Sequence, residues 1–360
     1  MNRKLDNDAS LDVASLDYAL PDVLIAQFPP ARRDDARLLV VDRGRDTLGD
    51  RRVKELPDLL RLDDLLVLND TKVVPAKLVA RRETGGRVGG LFLRERSPGV
   101  WEVLLEGSKR LRVGEILTAG DETDGEIGLR LEEDKGEGRW VVRVDRVGSA
   151  ESLLERIGVT PLPPYIRRRN DDRSEDDADR RRYQTVYARN AGAIAAPTAG
   201  LHFTREMLDR IRGRGVRTAF VTLHVGIGTF RPLSVDRLDD HVMHSELFEL
   251  SSDTAEAITA CRARGGRVVA VGTTTVRVLE SSVDEDGSIV PAGGSTDIFI
   301  RPPHRFRVVD ALLTNFHLPR STLLALVMAF AGVSRTRDAY AHAVEQRYRF
   351  YSYGDAMLID

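Results

Sequence analysis

Cysteine is nearly missing: Cys261 is the only one in 360 residues. That excludes an internal disulfide, a thiolate metal cage and a dithiol redox pair, and it fits a reducing cytoplasm. Lysine is scarce too, with only six among the 54 basic residues. Charge of one sign does not dominate. The formal net charge is -2, so any contact with nucleic acid must come from a local basic patch rather than from the protein's overall potential. No apolar run reaches the roughly 20 residues that span a bilayer. The most apolar one, "STLLALVMAFAG" from Ser321 to Gly332, reads as a buried helix with Ser321 as N-cap and Gly332 as stop. The opening "MNRKLDNDAS" lacks the apolar stretch of a secretory signal and reads as a loose tail. Several catalytic signatures are absent as well. There is no Gly-x-Ser-x-Gly elbow for acyl transfer, no His-Glu-x-x-His zinc helix, no Walker loop and no dinucleotide fingerprint.

What is present describes a globular protein of about two domains, with 42% hydrophobic and 31% charged residues. From Lys77 to Asp145 short period-two runs such as "KLVARRE", "VWEVLLEG" and "RWVVRVD" are separated by "TGG", "SPG" and "DKGEG". This pattern predicts antiparallel hairpins closing into a small barrel. After it, "ESLLERIGVTPLPPYI" reads as a short helix stopped by Gly158 and an extended Pro-rich link. "RRRNDDRSEDDADRRR" reads as a solvated loop, with a binding role for its Arg triplets as the alternative. From Thr204 onward, capped helices alternate with apolar strands, and "RLLVVD" and "DLLVLND" near the start have the same character. The predicted architecture is therefore an α/β body with a mixed, largely parallel sheet over residues 1–70 and 150–360, carrying an inserted antiparallel β-barrel at 71–149.

The unusual residues fall where strands end. "HVGIGTF" follows "AFVTL", "GTTTVR" follows "RVVAV", and "TNFHLPRS" follows "RVVDALL". In α/β sheets such loops border the crevice where ligands bind. Gly272 permits a close backbone approach there. Thr273 to Thr275 either cap a helix or present hydroxyls to a ribose or carboxylate. His241 and His244 in "HVMHSE", with His202 and His224, offer enough nitrogens for zinc. The spacing nonetheless suits hydrogen-bonded or proton-transferring imidazoles better. "YRFYSYGDAMLI" either closes the core or offers ring faces to an unstacked base.

Ten segments taken together, among them "LNDTKVVPAKL", "PLPPYI", "RYQTVYA", "AAPTAGLHFT", "VTLHVGIGTFRPL", "VVAVGTTTVRVLES" and "TNFHLPRSTLLALVMAFAG", resemble one family from about Leu16 to Asp360. It is the S-adenosylmethionine:tRNA ribosyltransferase-isomerase family of queuosine biosynthesis. Pro303 stands where that family usually has Gly, and Lys77 where it often has Arg. "RNDDRSEDDADR" is longer than usual.

The resemblance implies transfer and isomerisation of the ribosyl group of S-adenosylmethionine onto 7-aminomethyl-7-deazaguanine at the tRNA wobble position. Epoxyqueuosine tRNA, adenine and methionine are the products. S-adenosylmethionine is consumed as a substrate and no cofactor or metal is implied. No membrane is involved, and the chain acts as monomer or homodimer. A proton must leave the carbon beside the sulfonium, which needs a base shielded from water. The residues assigned to proton transfer are His202, His224 and His244, with Glu246 orienting an imidazole. Thr198, Gly200, Gly226, Gly228, Thr229, Thr273, Thr274 and Arg277 are assigned to the donor pocket, with Asn315 and His317 as further candidates. Tyr165, Arg167, Arg168 and Tyr183 are assigned to RNA, since anticodon loops are read through splayed bases, stacking and phosphate contacts. Three other activities would leave different traces. A tRNA methyltransferase would release S-adenosylhomocysteine, a non-catalytic RNA-binding protein would leave the donor intact, and a metal hydrolase would carry zinc.

Overall fold

A computed structural model describes residues 12–120, 125–168, 173–226, 228 and 233–360. Nine strands form one sheet in the order Ala292–Thr296, Glu246–Leu250, Arg217–Leu223, Leu65–Asn69, Val268–Val271, Ala311–Asn315, Ala356–Ile359, Arg37–Asp42 and Thr47–Arg52. The stretch from Arg217–Leu223 to Ala311–Asn315 is parallel throughout. Antiparallel partners extend it on both flanks. The sheet is thus mixed with a parallel centre, as the alternation of helices and strands predicts. Leu65–Asn69 and Val268–Val271 are buried at every position, which is why they read as unbroken apolar runs.

Side-chain alternation divides the core between the two faces of the sheet. Leu65, Val67, Val268 and Ala270 join one apolar cluster, while Leu66, Leu68, Val269 and Val271 join another. The apolar helix lies over the first cluster as Thr322–Ala331. The Ser321 hydroxyl accepts the Leu324 N–H at 3.2 Å, and Gly332 ends the helix at φ 92°.

Six strands, Lys77–Arg82, Arg87–Ser97, Val100–Leu105, Ile116–Ala119, Ile127–Gly136 and Arg139–Val144, close the predicted antiparallel barrel. Trp101 and Trp140 fill its interior. The helix Ala150–Ile157, capped by Ser149, adds Leu153, Leu154 and Ile157 to the same apolar cluster.

The charged segment after Tyr165 departs from its loop reading. Arg173–Arg182 is a helix. Asp176 takes the Arg180 guanidinium one turn away at 2.7 Å and the Thr160 N–H at 2.7 Å, and Arg180 also reaches Glu155 at 2.8 Å. Helical spacing of opposite charges and these long-range anchors replace the apolar stripe that this sequence lacks.

Gly158 sits where chain leaving the barrel crosses chain entering it. The backbones of Lys77 and Val159 exchange hydrogen bonds of 2.8 and 3.1 Å there. A Cβ at Gly158 would lie 1.8 Å from the Pro75 carbonyl oxygen and 2.7 Å from that of Leu154. Because both obstacles are backbone, Gly158→Ala is expected to cost about 1–3 kcal/mol through forced displacement. A thermal melt unchanged from wild type would show that the crossing gives way freely.

Candidate functional site

The carboxyl ends of the parallel strands share one edge of the sheet, and a polar cluster follows each apolar run. Asn69 ends one strand with Asp70 and Thr71 just beyond it, and His224 follows the next. Gly272 to Thr274 lead into the helix Thr273–Ser281, and Asn315 to His317 follow the fourth. Gly272 has φ 90°, a conformation that suits glycine, and its N–H donates to the Leu313 carbonyl at 2.8 Å.

A cleft of about 670 Å³, counting its open mouth, lies along this edge. Its walls bring together Thr198, Thr273, Thr274, Asn315 and His317 from the expected donor pocket, and Tyr165 from the expected RNA set. Ala195 to Ala199, Phe316, Tyr351 and Ser352 complete much of the lining. Gly200 belongs to the packing behind the wall. A Cβ there would fall 2.1 Å from the Tyr187 hydroxyl oxygen and 2.9 Å from Thr185 Cγ2.

Two histidines near the cleft are held neutral by burial. His202 is 3% exposed, and its Nε2 lies 3.2 Å from Asn315 Nδ2, which also donates to the Tyr351 carbonyl at 3.0 Å. That amide is a donor, so Nε2 accepts and the ring proton belongs on Nδ1. Burial pulls the His202 pKa down to about 4. His317 is locked to the Thr314 hydroxyl at 2.8 Å, with its pKa pulled down to about 3 by the same cause.

His224 differs, being half-buried with Nδ1 held by the Thr71 hydroxyl at 2.8 Å. Burial lowers its pKa, against the opposing pull of Asp70 and Glu249. Asp70 accepts the Thr222 hydroxyl at 2.7 Å and the Asn190 amide at 3.2 Å, so the carboxylate is fixed beside the imidazole's anchor. Asn69, fully buried, binds the strand ends together. Its Oδ1 accepts the N–H groups of Thr71 and Leu223, both at 3.1 Å. Its Nδ2 donates to the Leu223 carbonyl at 3.0 Å and to Thr274 Oγ1 at 3.1 Å.

Asn69, Asp70, Thr71, Thr222 and Asn190 were missed by the sequence reading. The signal was present, because "NDT" follows the apolar strand "LLVL" just as "GTTT" follows "VVAV".

A second hollow shares Leu323 with the cleft and contains Gly228, His244, Glu246 and Arg277. Arg277 and Glu246 form a buried ion pair, and the Glu246 carboxylate also accepts the Gly226 N–H at 2.8 Å. His244 is exposed. Thr229 lies outside the described residues.

The remaining RNA candidates separate. Arg167 is exposed. Arg168 is committed within the chain, forking onto Asp179 at 2.7 and 2.8 Å with its guanidinium over the Phe28 ring at 4.7 Å. Tyr183 is 1% exposed and packs edge-on against Tyr353 at 5.9 Å. It therefore has no open face to offer a base, contrary to the expectation for an RNA contact. Among the described residues, no group of three or more His, Cys, Asp or Glu side chains is disposed to hold a metal ion. Among them, too, no helix is long and apolar enough to cross a membrane.

The profile of the family described as "Queuosine biosynthesis protein" matches residues 13–359. The chain belongs to that family. It is 50% identical over 347 residues to the S-adenosylmethionine:tRNA ribosyltransferase-isomerase of Trichlorobacter lovleyi, covering 96% of this chain and 99% of that one. It is also 50% identical over 352 residues to the enzyme of the same name from Geobacter sulfurreducens, with coverage of 96% and 99%. A crystal structure of an S-adenosylmethionine tRNA ribosyltransferase from Thermotoga maritima superposes with a TM-score of 0.55 at 35% identity, covering 96% of this chain and 100% of that one. Membership agrees with the resemblance drawn from the ten segments, and the family's span takes in both the sheet body and the barrel.

Proposed function

We infer that this chain is an S-adenosylmethionine:tRNA ribosyltransferase-isomerase. It transfers and isomerises the ribosyl group of S-adenosylmethionine onto 7-aminomethyl-7-deazaguanine at the tRNA wobble position, releasing adenine and methionine and leaving epoxyqueuosine. The observation that carries this is the near-complete match, at half identity, to enzymes of that name. The experiment is to incubate the protein with donor and precursor-containing tRNA, with a chelator present throughout. The expected outcome is adenine release and a mass gain on the wobble nucleoside, neither of which occurs with unmodified tRNA. S-adenosylhomocysteine as product, or an intact donor, would overturn the reading. Loss of turnover to the chelator would overturn its cofactor-free form.

The chemistry needs a base for the carbon beside the sulfonium. Adenine then leaves, the aminomethyl nitrogen attacks the anomeric carbon, and closure of the epoxide expels methionine. Of His202, His224 and His244, we assign the base to His224. Its neighbour Val225 lines the cleft, its Nδ1 is anchored by Thr71, and its lowered pKa keeps the imidazole unprotonated at neutral pH. His202 is sealed behind Asn315 and serves to orient that amide. The donor's adenosine portion fits the cleft between Thr198 and the first turn of Thr273–Ser281, where hydroxyls and free backbone N–H groups converge. The enzyme works in the cytoplasm, where its tRNA substrate is found.

The tRNA reaches the cleft past Tyr165 and Arg167. Tyr165 borders both the cleft and a neighbouring hollow lined by Gln27, Phe28 and Arg167, so one face connects exposed cation, exposed ring and cleft mouth. Arg167→Ala is expected to weaken tRNA binding and to reduce the slope of log Kd against log salt by about one. A slope equal to the wild type's removes Arg167 from the phosphate contacts.

A further inference from the structure

We propose that Gly192 is a positioning residue for the proton transfer, its bare backbone forming the floor on which the His224 ring lies. This deepens the reading of His224 as the base and rests on it. A Cβ added at Gly192 would fall 2.9 Å from His224 Cε1, 2.9 Å from Nδ1 and 3.1 Å from Cγ. Three nearly equal distances put that carbon over the face of the imidazole rather than beside its edge. Contacts that short force one partner to move, so a residue with a side chain at this position displaces the ring.

A single hydrogen bond does not fix an imidazole. Thr71 holds Nδ1 at 2.8 Å, which leaves Nε2 for the substrate. The outer torsion of a histidine side chain is broad, so the ring could still tilt about that anchor and carry Nε2 away from the reacting carbon. Contact with Gly192 closes that freedom on one face. The precision matters, because a displacement of about 1 Å can cost roughly 100-fold in rate.

The chain makes this floor with a β-bulge. Asn190–Ala193 runs parallel to Thr71–Val73, with Asn190 opposite Thr71, Ala191 opposite Lys72 and Ala193 opposite Val73. Gly192 is the extra residue, at φ 149°, where a Cβ is strained. Bulges beside active sites commonly re-aim a group. Both sides of this one are tied to the stretch that carries His224. Asn190 Nδ2 donates to the Thr222 hydroxyl at 2.9 Å, and the Ile194 N–H donates to the Val225 carbonyl at 3.0 Å. The floor, the ring and the Thr71 anchor are therefore fastened to one another on every side of the imidazole except the one facing substrate.

The test is a double-mutant cycle in the full-length protein: Gly192→Ala, His224→Ala and the two together, read by adenine release with precursor tRNA and by thermal melting. Gly192 is not among the residues lining the cleft. Gly192→Ala should therefore lower kcat about ten-fold or more and leave the donor KM within about two-fold of wild type. In the His224→Ala background the same substitution should cost no further rate, and its effect on the melt should shrink. Backbone strain at position 192 is common to both backgrounds and cancels in the cycle, whereas the clash with the ring does not. Full activity of Gly192→Ala, or an equal rate loss with and without the ring, overturns the assignment. Near-normal turnover of His224→Ala instead sinks the reading of His224 as the base. Should Gly192→Ala not fold, the contact is read by nuclear magnetic resonance of protein labelled at glycine Cα. There His224→Ala should shift the Gly192 α-proton signal as the ring current over it disappears, and an unmoved signal overturns the assignment as well.

Discussion

Asn69→Leu should be among the most damaging single substitutions at the sheet's carboxyl edge, lowering stability by about 2–5 kcal/mol. The side chain it replaces is fully buried and makes four hydrogen bonds. Leucine has the same branched outline but is bulkier, so none of the cost is cavity and some of it is overpacking. The rest of the loss comes from polar groups stranded without partners. The Thr71 and Leu223 N–H groups lose an acceptor, while the Leu223 carbonyl and the Thr274 hydroxyl lose a donor. Each buried group left unsatisfied costs about 1–3 kcal/mol, and partial relaxation keeps the sum below the simple total. That is a large fraction of a total stability of about 5–15 kcal/mol. Thermal and denaturant melts read the loss directly. Turnover should fall further than stability alone dictates, because the same amide positions Thr71, the anchor of His224, and Thr274 in the cleft wall. Thr274→Val, which removes one of the four contacts, should leave the melt close to wild type and weaken donor binding. An Asn69→Leu protein melting within about one degree of wild type would mean that the strand ends do not depend on this amide.

The parts that local pattern dictates were legible in the sequence. Unbroken apolar runs such as "LLVL" and "VVAV" became the buried parallel strands, and alternating runs became the barrel. The caps at Thr204 and Ser321 each accept the expected backbone N–H. What escaped depends on partners far along the chain. The helix Arg173–Arg182 has no apolar stripe to announce it and is held by Glu155, Thr160 and Arg168. Tyr183 has the ring that stacking on a splayed base requires, but its burial is decided by Tyr353, 170 positions further on. The same holds within the site. The rule that ligands meet strand carboxyl ends pointed to Thr273, Thr274, Asn315 and His317, and all four line the cleft. Applied to "LVLNDT" it also points to Asn69 and Thr71. Neither the 3.1 Å contact from Asn69 to Thr274 nor the 2.8 Å contact from Thr71 to His224 has a local signature.

His224→Ala should reduce turnover by about 100-fold or more while leaving the melting transition near that of wild type, which is the cost of removing a positioned general base. The fold tolerates the change because the ring is half-buried at a strand end rather than packed in the core. Thr71→Val, which frees the imidazole without removing it, should cost less, with kcat falling and donor KM little changed.

The pH dependence separates a base from a merely structural ring. Burial lowers the His224 pKa from its ordinary 6.5, and Asp70 and Glu249 oppose the shift without reversing it. The neutral form therefore prevails above neutrality, and kcat/KM should stay level there, falling only as pH drops below the ordinary imidazole range. Asp70→Asn removes a negative charge that favours the imidazolium, so the acid limb should move to still lower pH even as the loss of positioning lowers the plateau. A structural role would lower the plateau in both variants and leave the limb where it was. An unmoved limb in Asp70→Asn, or near-normal turnover in His224→Ala, would transfer the proton to another group and leave His224 as part of the scaffold.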